Sequence, residues 1–166
     1  MFDPQRLITA LHREGVAYVI IGGVAAEIHG AEQKTGDFDL CYDRSGDNMA
    51  ALVSAVSPLS PKLRGKNVPN NLPFRFDVET VNRGLNFTLK TDAGDLDRLG
   101  LIDGVGDFKA ALAESEEIEL YGIPCRVLKI DALIASKRAA NRPKDIAVLY
   151  ELEAIKVLRK KKDNAD

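Results

Sequence analysis

The stretch that decides the fold is IGGVAAEIHGAEQKTGDFDL, residues 21–40. It begins at the end of residues 17–21, a continuous apolar and β-branched run that predicts a buried strand. Two glycines, Gly22–Gly23, interrupt this run, and residues 24–29 predict a helix that starts directly at the glycines. Gly30 closes that helix. The first part of the stretch therefore predicts the order strand, glycine pair, helix.

The second part of the stretch predicts a strand that carries two carboxylates. Residues 37–42 alternate polar and apolar side chains, so Asp37 and Asp39 leave the same face of the strand. Two negative charges held this close repel each other unless a cation lies between them. Mg²⁺ is the expected cation, with Mn²⁺ as the alternative, because hard ions take carboxylate and phosphate oxygens. A pair of such ions suits phosphoryl transfer.

The glycine pair and the helix after it are suited to bind phosphate. Gly22 and Gly23 have no Cβ, so a phosphate can approach their backbone closely. The free N–H groups and the positive dipole end of the following helix point at the same spot. A triphosphate is the natural occupant, and the third glycine of a dinucleotide-binding turn is absent. Taken alone, the glycines could also form a tight strand-to-helix turn.

A third carboxylate is expected to complete the two-metal site. Asp97 ranks first, because it lies deepest within a predicted strand, where the geometry is rigid. Asp95 lies on the same face but nearer the turn, and Asp92 is nearer still, on the partner strand. Arg98 follows Asp97 where an apolar residue is expected, and it faces away from Asp97 if the strand is regular. It is interpreted as a surface residue or a substrate contact.

The rest of the chain predicts an α+β fold, with a small mixed sheet, helices packed mainly on one side and a helical C-terminal end. Residues 58–73 are rich in Pro, Asn and Lys and predict the most flexible loop. The other predicted helices are one opened by Asp3–Pro4 and ended by Gly15, three at 46–56, 77–83 and 108–113, one from Asp131 to Ala140 and one from Pro143 to Lys162. The other predicted strands are a hairpin of 85–91 and 95–101 and a strand pair of 116–121 and 124–128.

Composition excludes several classes of protein. The chain has 166 residues, of which 45% are hydrophobic and 29% charged, and its formal net charge is −2. One ordinary globular domain fits these values, and a basic field over the whole molecule does not. Cys41 and Cys125 lie far apart, which argues against a disulfide framework or a zinc site. No apolar run is long enough for a bilayer and the N-terminus lacks a signal-peptide pattern, so a cytoplasmic protein without membrane contact is expected.

These motifs resemble the signature of the polymerase-beta-type nucleotidyltransferase superfamily. Residues 21–40 are similar in particular to the minimal nucleotidyltransferases of toxin–antitoxin and abortive-infection systems (AbiEii-like). The resemblance extends to TLKTDAGDLDRLG, residues 88–100, and to LIASKRAANRPKDIAVLYELE, residues 133–153. Many superfamily members have Gly-Ser where this chain has Gly22–Gly23, whereas the subgroup commonly has Gly-Gly.

The resemblance implies roles for these motifs. Asp37, Asp39 and Asp97 would be the catalytic and metal-binding carboxylates, and Gly22 and Gly23 would contact the triphosphate of an NTP. It also implies a division of the chain into a nucleotidyltransferase core, residues 1–130, and a C-terminal helical segment packed on it, residues 131–166.

Two lysines are the candidate cations for nucleotide binding. Lys34 precedes the carboxylate pair and could meet the triphosphate. Lys137 belongs to a basic group with Arg138, Arg142 and Lys144 across a helix junction, where a phosphate or nucleic-acid contact is the functional interpretation. The alternative is a solvated face with Asp145 as the ion-pair partner.

Two other features are interpreted as mainly structural. His29 ends the second helix, and a lone histidine is more often a hydrogen-bonding residue than a catalytic one. The tail Arg159–Lys162 is interpreted as a complement to the helix dipole, with RNA binding as the alternative.

The expected activity is Mg²⁺-dependent transfer of a nucleoside monophosphate from an NTP to an acceptor, within a toxin–antitoxin system as the resemblance implies. The acceptor would be an RNA such as a tRNA 3′ end, a partner protein or a small molecule, and the sequence does not specify the oligomeric state. Asp97 would complete the metal site and orient the acceptor hydroxyl, with a role as general base left open. The alternative is an antitoxin-like nucleotide- or partner-binding module without catalysis. If Asp97 or Asp95 lies close to Asp37 and Asp39, the enzyme is favoured over the binding module.

Overall fold

The computed structural model describes residues 1–69 and 71–165. Helices and strands alternate through most of the chain. Their bounds are α1 (Pro4–Arg13), β1 (Tyr18–Ile21), α2 (Gly22–His29), β2 (Asp37–Tyr42), α3 (Gly46–Val56), a 3₁₀ turn (Ser57–Leu59), β3 (Lys62–Leu63), α4 (Val78–Arg83), β4 (Asn86–Thr91), β5 (Gly94–Leu99), β6 (Leu101–Ile102), β7 (Gly106–Asp107), α5 (Phe108–Ala113), β8 (Ser115–Leu120), β9 (Ile123–Leu128), α6 (Ile130–Ala140) and α7 (Pro143–Ala165).

Seven strands form one mixed sheet in the order β3-β4-β5-β2-β1-β9-β8. Strand β2 runs parallel to β5 and strand β1 runs parallel to β9, whereas the other neighbours in the sheet are antiparallel. The two short strands β6 and β7 form a separate antiparallel pair. Strands β1 and β2 therefore lie in the interior of the sheet, where both edges of each backbone are hydrogen-bonded.

The core is built on the face of β2 that alternation predicts to be apolar. Phe38 and Leu40 are fully buried there, and so is Tyr42 at the end of the strand. Helix α1 contributes a buried stripe, Leu7, Ile8 and Leu11, at helical spacing. Burial of one face fixes the register of β2, because a slip by one residue would turn its carboxylates into the core.

The α+β fold expected from the sequence is confirmed, and many element bounds agree closely. Strand β2 and helices α3 and α5 cover the predicted residues. The side chain of Asp3 accepts the backbone N–H of Arg6 at 2.9 Å, as an N-cap should. Gly30 ends α2 in the left-handed region, with φ +110°.

Three local predictions were wrong. The predicted loop 58–73 contains strand β3, because backbone pairing with β4 overrides its loop-like composition, and residue 70 of that loop lies outside the described residues. Helix α6 begins at Ile130, so Asp131 is not its N-cap residue and instead forms an ion pair with Lys156. The pair β6–β7 was not predicted, because strands of two residues leave no periodic pattern.

The two last helices pack against each other and against α2. Helix α6 buries Ala132, Leu133 and Ile134, and α7 buries Val148 and Leu152. The prediction that residues 131–166 form a distinct segment stays a prediction. No helix within residues 1–69 and 71–165 combines the length and the apolar character needed to cross a bilayer.

Candidate active site

The site begins at the turn from β1 into α2. Gly22 has φ +64°, a conformation that side-chain-bearing residues rarely adopt, and it is the first residue of the helix. Ile21 precedes it and gives no side-chain cap, so the first backbone N–H groups of α2 are left for a carboxylate or a phosphate. A Cβ on Gly23 would lie 2.7 Å from Cβ of Thr35. Both glycines are thus required by close packing as well as suited to anion binding.

Parallel pairing of β2 with β5 assembles the carboxylates. Asp39 lies opposite Asp97 in the register, and Asp37 lies opposite Asp95. Because side chains alternate along a strand, all four project from the same face of the sheet. The side chains of Asp37, Asp95 and Asp97 remain 35%, 30% and 24% exposed, so the cluster is open to solvent. Asp97, which ranked first from the sequence, therefore lies beside Asp39, and Asp95 lies beside Asp37 on the same face.

The electrostatics of Asp39 reflect this crowding. The pKa of Asp39 is raised to about 6, first by burial and then by the negative charges of Asp97 and Asp37. Lys137 and a backbone hydrogen bond from Gly23 act against this shift. A carboxylate with a raised pKa is one whose negative charge lacks sufficient compensation, so additional positive charge would be stabilising here.

Arg64 supplies a cation that the sequence analysis missed. Its Nη2 donates to Asp97 Oδ1 at 2.9 Å and to Oδ2 at 3.1 Å. The same nitrogen lies 3.8 Å from Asp37 Oδ2, and Nε lies 3.5 Å from Asp95 Oδ2. The only sequence signal would have been the alternation of Lys62 and Arg64 along a strand, which is too short to detect in a proline-flanked segment.

The donor set fits a hard divalent ion in its chemistry. The facing groups are carboxylate oxygens, which Mg²⁺ and Mn²⁺ accept, and their mutual repulsion calls for a cation. Within residues 1–69 and 71–165, however, no three metal-ligating side chains converge closely enough to enclose an ion. Arg64 lies among the carboxylates and contacts Asp97 directly.

A cavity of about 510 Å³ opens onto this cluster. The residues of its wall that carry chemistry come from both halves of the chain. They include Gly22, Gly23, Lys34, Asp37, Asp39, Asp97, Asp103, Lys137, Arg142 and Lys144. The volume is within the range of small-molecule sites, which is about 300–1,000 Å³. All seven site residues predicted from the sequence line this one cavity, and their roles stay predictions.

The loop from α2 to β2 is held by side-chain hydrogen bonds. Glu27 accepts the backbone N–H of Thr35 at 2.7 Å, and the Thr35 hydroxyl accepts the backbone N–H of Asp37 at 3.2 Å. Lys34 also pairs with Glu27, at 3.3 Å, but its side chain is 81% exposed. Such an exposed pair is weak, so Lys34 can leave Glu27 at little cost and turn towards the cavity.

Lys137 and Arg142 are fixed at the cavity wall by one buried carboxylate. Asp145 accepts from Lys137 Nζ at 3.1 Å and from Arg142 Nε at 2.6 Å. Burial alone would raise the pKa of Asp145, but hydrogen bonds from Arg142 and Lys137 outweigh it and hold the pKa below its ordinary value. The expected ion pair with Asp145 is therefore present, but Asp145 is buried rather than part of a solvated face, and both cations also line the cavity.

His29 is a structural residue. It is buried, and its Nε2 lies 2.8 Å from the carbonyl oxygen of Leu128 in β9. Arg159 of α7 donates Nη2 to the His29 carbonyl oxygen at 3.0 Å and places Nη1 3.2 Å from His29 Nδ1. The first residue of the basic tail thereby ties α7 to the end of α2.

Arg98 is not a surface residue. It is fully buried on the face of β5 opposite Asp97, as strand alternation requires. Its guanidinium carbon lies 4.0 Å from the centre of the Phe87 ring and 5.0 Å from that of Tyr42. Burial lowers the pKa of Arg98 to about 10. Aromatic faces thus take the place of hydrogen-bond partners for this cation.

Comparisons with known proteins relate this architecture to solved structures. No family model and no curated protein sequence matches the chain. A crystal structure of ANT(2'')-Ia in complex with adenylyl-2''-tobramycin is similar over 97% of this chain and 95% of that chain, with a TM-score of 0.57 and 17% identity. A solution structure of the same antibiotic-resistance factor gives a TM-score of 0.55 at 15% identity, over 97% and 91% of the two chains. A Thermotoga maritima protein assigned as a nucleotidyltransferase matches over 99% and 96%, with a TM-score of 0.53 and 16% identity.

This chain has the nucleotidyltransferase fold. The likeness extends over almost the whole chain, so helices α6 and α7 are included in it as well as the sheet. The nucleotidyltransferase fold expected from the resemblance of residues 21–40 is thereby confirmed. At these identities the comparison shows the fold, and the activity must be argued from the residues of the site.

Proposed function

We propose that this protein is a nucleotidyltransferase that moves a nucleoside monophosphate from an NTP to an acceptor hydroxyl and releases pyrophosphate. The observation that carries the proposal is the register of β2 and β5, which sets Asp97 beside Asp39 with Asp37 on the same face. The glycine turn into α2 lies against Asp39 of this cluster. A phosphate-binding helix start next to a carboxylate cluster is the combination that this chemistry needs.

The carboxylates are assigned to metal binding and to the acceptor. Asp37 and Asp39 would hold the divalent ion, and Asp97 would complete the site and orient the acceptor hydroxyl. A bound Mg²⁺ or Mn²⁺ supplies charge neutralisation on phosphate oxygens and activates the attacking hydroxyl. Catalysis would otherwise consist of positioning, because phosphoryl transfer requires little covalent chemistry from a protein.

The backbone and the basic side chains are assigned to the triphosphate. Gly22, Gly23 and the start of α2 would face its oxygens, with the Gly23 N–H shared between Asp39 and a phosphate oxygen. Lys137 lines the same cavity as Asp39 and is the first candidate cation for the phosphate oxygens. Lys34 at the cavity edge is the second candidate cation.

The acceptor is proposed to be an RNA, such as a tRNA 3′ end, or a partner protein, within a toxin–antitoxin system. Lys144 lines the cavity together with Lys34, Lys137 and Arg142. Basic side chains beside a catalytic cavity support a polyanionic acceptor such as RNA. The solved ANT(2'')-Ia complex contains an adenylylated tobramycin, so a small-molecule acceptor belongs in the same test.

A second candidate function is a nucleotide- or partner-binding module without catalysis. The observation in its favour is the ion pair between Arg64 and Asp97, which neutralises the third carboxylate from within the chain. The two functions differ in whether NTP binding is followed by transfer.

The test incubates purified protein with Mg²⁺ or Mn²⁺ and each α-labelled NTP, with total RNA, candidate partner proteins or small hydroxyl compounds as acceptors. We expect incorporation of label that falls by about 100-fold or more in Asp39→Asn. The matched control is Asp103→Asn, which removes a carboxylate that lines the same cavity outside the cluster. Incorporation that survives Asp39→Asn would exclude the assigned mechanism, and NTP binding without any transfer would favour the binding module.

A further inference from the structure

Arg64 reaches the carboxylate cluster from the edge strand of the sheet. Its backbone N–H donates to the carbonyl oxygen of Thr88 at 2.9 Å, which continues the antiparallel pairing of β3 with β4 by one residue. Thr88 is opposite Asp97, and Asp97 is opposite Asp39. Arg64 therefore stands in the same row across the sheet as the two carboxylates, and its side chain projects from the same face.

The guanidinium group takes the position of a counter-ion. One nitrogen, Nη2, contacts both oxygens of Asp97 and lies 3.8 Å from Asp37 Oδ2. A single nitrogen shared between two carboxylates is the arrangement of a cation between like charges. A divalent ion bound by Asp37, Asp39 and Asp97 would have to use oxygens that Arg64 now contacts.

The contact between Arg64 and Asp97 can also be exchanged for another. The Arg64 side chain is 33% exposed, and its Nε is buried without a hydrogen-bond partner among the described residues. The guanidinium is therefore only partly satisfied in this position. Arg64 directly follows β3, a strand of two residues at the edge of the sheet. Outward movement of this side chain would expose it to water and leave the rest of the sheet in place.

We infer that Arg64 is an internal counter-ion that competes with divalent metal for Asp97, so that metal completes the site only when Arg64 withdraws. The inference rests on the proposed function, because it assigns the cluster to metal. It predicts that the Arg64–Asp97 contact lowers the apparent affinity for metal, because the free energy needed to break that contact is subtracted from the free energy of metal binding.

The test measures Mn²⁺ binding to the full chain without nucleotide, by loss of the electron paramagnetic resonance signal of free Mn²⁺. The variants are Arg64→Gln, Lys62→Gln and Asp39→Asn. Lys62 is the matched control, because it is an exposed cation on the same strand and the same face, two residues away, in register with Lys90. Both glutamine variants remove one positive charge, so a general field effect would change them equally.

We expect Arg64→Gln to bind Mn²⁺ about ten-fold more tightly than the unsubstituted protein, Lys62→Gln to bind as the unsubstituted protein does, and Asp39→Asn to lose binding. Equal or weaker Mn²⁺ binding in Arg64→Gln, with loss of binding in Asp39→Asn, would overturn the competition and leave the proposed function standing. Absence of Mn²⁺ binding in every variant would also overturn the competition, because no metal would then reach the cluster without nucleotide, whereas the proposed function is judged by the transfer assay.

A second measurement does not depend on the stability of a variant. In the unsubstituted protein, the side-chain NεH signal of Arg64 in a nitrogen-correlated NMR spectrum reports its environment, and through-bond correlations to its backbone amide assign it. We expect this signal to shift towards that of a solvent-exposed arginine as Mg²⁺ is added. A signal that keeps its position at saturating Mg²⁺ would show that Arg64 stays on Asp97, contrary to the inference.

Discussion

Gly22 lies directly against the carboxylate of Asp39. A Cβ built on Gly22 would be 2.1 Å from Asp39 Oδ2 and 2.7 Å from its carboxyl carbon. The two residues are separated by helix α2 and a loop, yet the pairing of β1 with β2 brings Ile21 opposite Asp39. The glycine turn and the carboxylate strand are thus two parts of one packed unit.

Gly22→Ala is expected to lower the free energy of unfolding by at least about 2 kcal/mol, since it combines a left-handed backbone with a collision at Asp39. Urea denaturation gives this value. Gly46→Ala is the control, because Gly46 begins α3 and a Cβ there meets nothing within 4 Å. Its stability should stay within about 0.5 kcal/mol of the original or rise slightly. Equal losses in both variants would show that the contact with Asp39 is not the cause.

Asp39 is expected to make the metal-free protein more stable as the pH falls from about 7 to about 5. Its pKa of about 6 in the folded state exceeds the ordinary value of 3.8, so the folded protein binds the proton more tightly than the unfolded chain does. Protonation in this window therefore favours folding, by about 1–2 kcal/mol after allowance for solvent screening. Urea denaturation in a chelating buffer measures it, with Asp39→Asn as the non-titrating reference. If the difference in free energy of unfolding between the original protein and Asp39→Asn does not change over this pH range, the raised pKa is refuted.

The sequence could predict the site because its signals are local. The glycine pair stands next to its helix, and strand alternation alone places Asp37 and Asp39 on one face. Asp97 could be ranked first because it lies in the middle of a strand with a clear turn before it. These features depend on residues within one or two elements, where side-chain periodicity is informative.

The relations between distant elements could not be predicted. The parallel register of β2 and β5 depends on packing of the whole sheet, since no short turn joins the two strands. Arg64 enters the site through an edge strand of two residues that propensity assigns to a loop. Arg98 was interpreted as a surface residue or a substrate contact, because a charged residue is rarely buried without a partner, and only the tertiary structure reveals the aromatic rings around it.

Asp145→Asn is expected to destabilise the protein by about 3 kcal/mol, because it leaves Lys137 without its partner in a nearly buried position. The side chains of Lys137 and Asp145 are only 12% and 2% exposed. Glu153→Gln is the matched control, since Glu153 pairs with Arg138 in a more exposed contact. That change should cost less than about 1 kcal/mol. Thermal or urea unfolding of both variants makes the comparison, and similar costs would mean that burial does not govern the strength of the Asp145 pair.

Arg98→Met is expected to keep or raise the free energy of unfolding, by up to about 2 kcal/mol. Arg98 is fully buried, and three of its nitrogens have no hydrogen-bond partner among the described residues. Removal of such a charge recovers its desolvation cost, which is several kcal/mol, against a loss of about 2 kcal/mol of cation–π attraction to Phe87 and Tyr42. Methionine is flexible and fills the space left by the arginine side chain.

Arg98→Ala separates the charge from the packing. It also removes the cation but leaves a cavity between β5 and the rings, so we expect a loss of about 2–4 kcal/mol relative to Arg98→Met. Urea denaturation of the two variants and the original protein separates the contribution of the charge from that of packing. If Arg98→Met were as unstable as Arg98→Ala, the guanidinium itself would be stabilising, and the aromatic rings would be a sufficient partner for a buried cation.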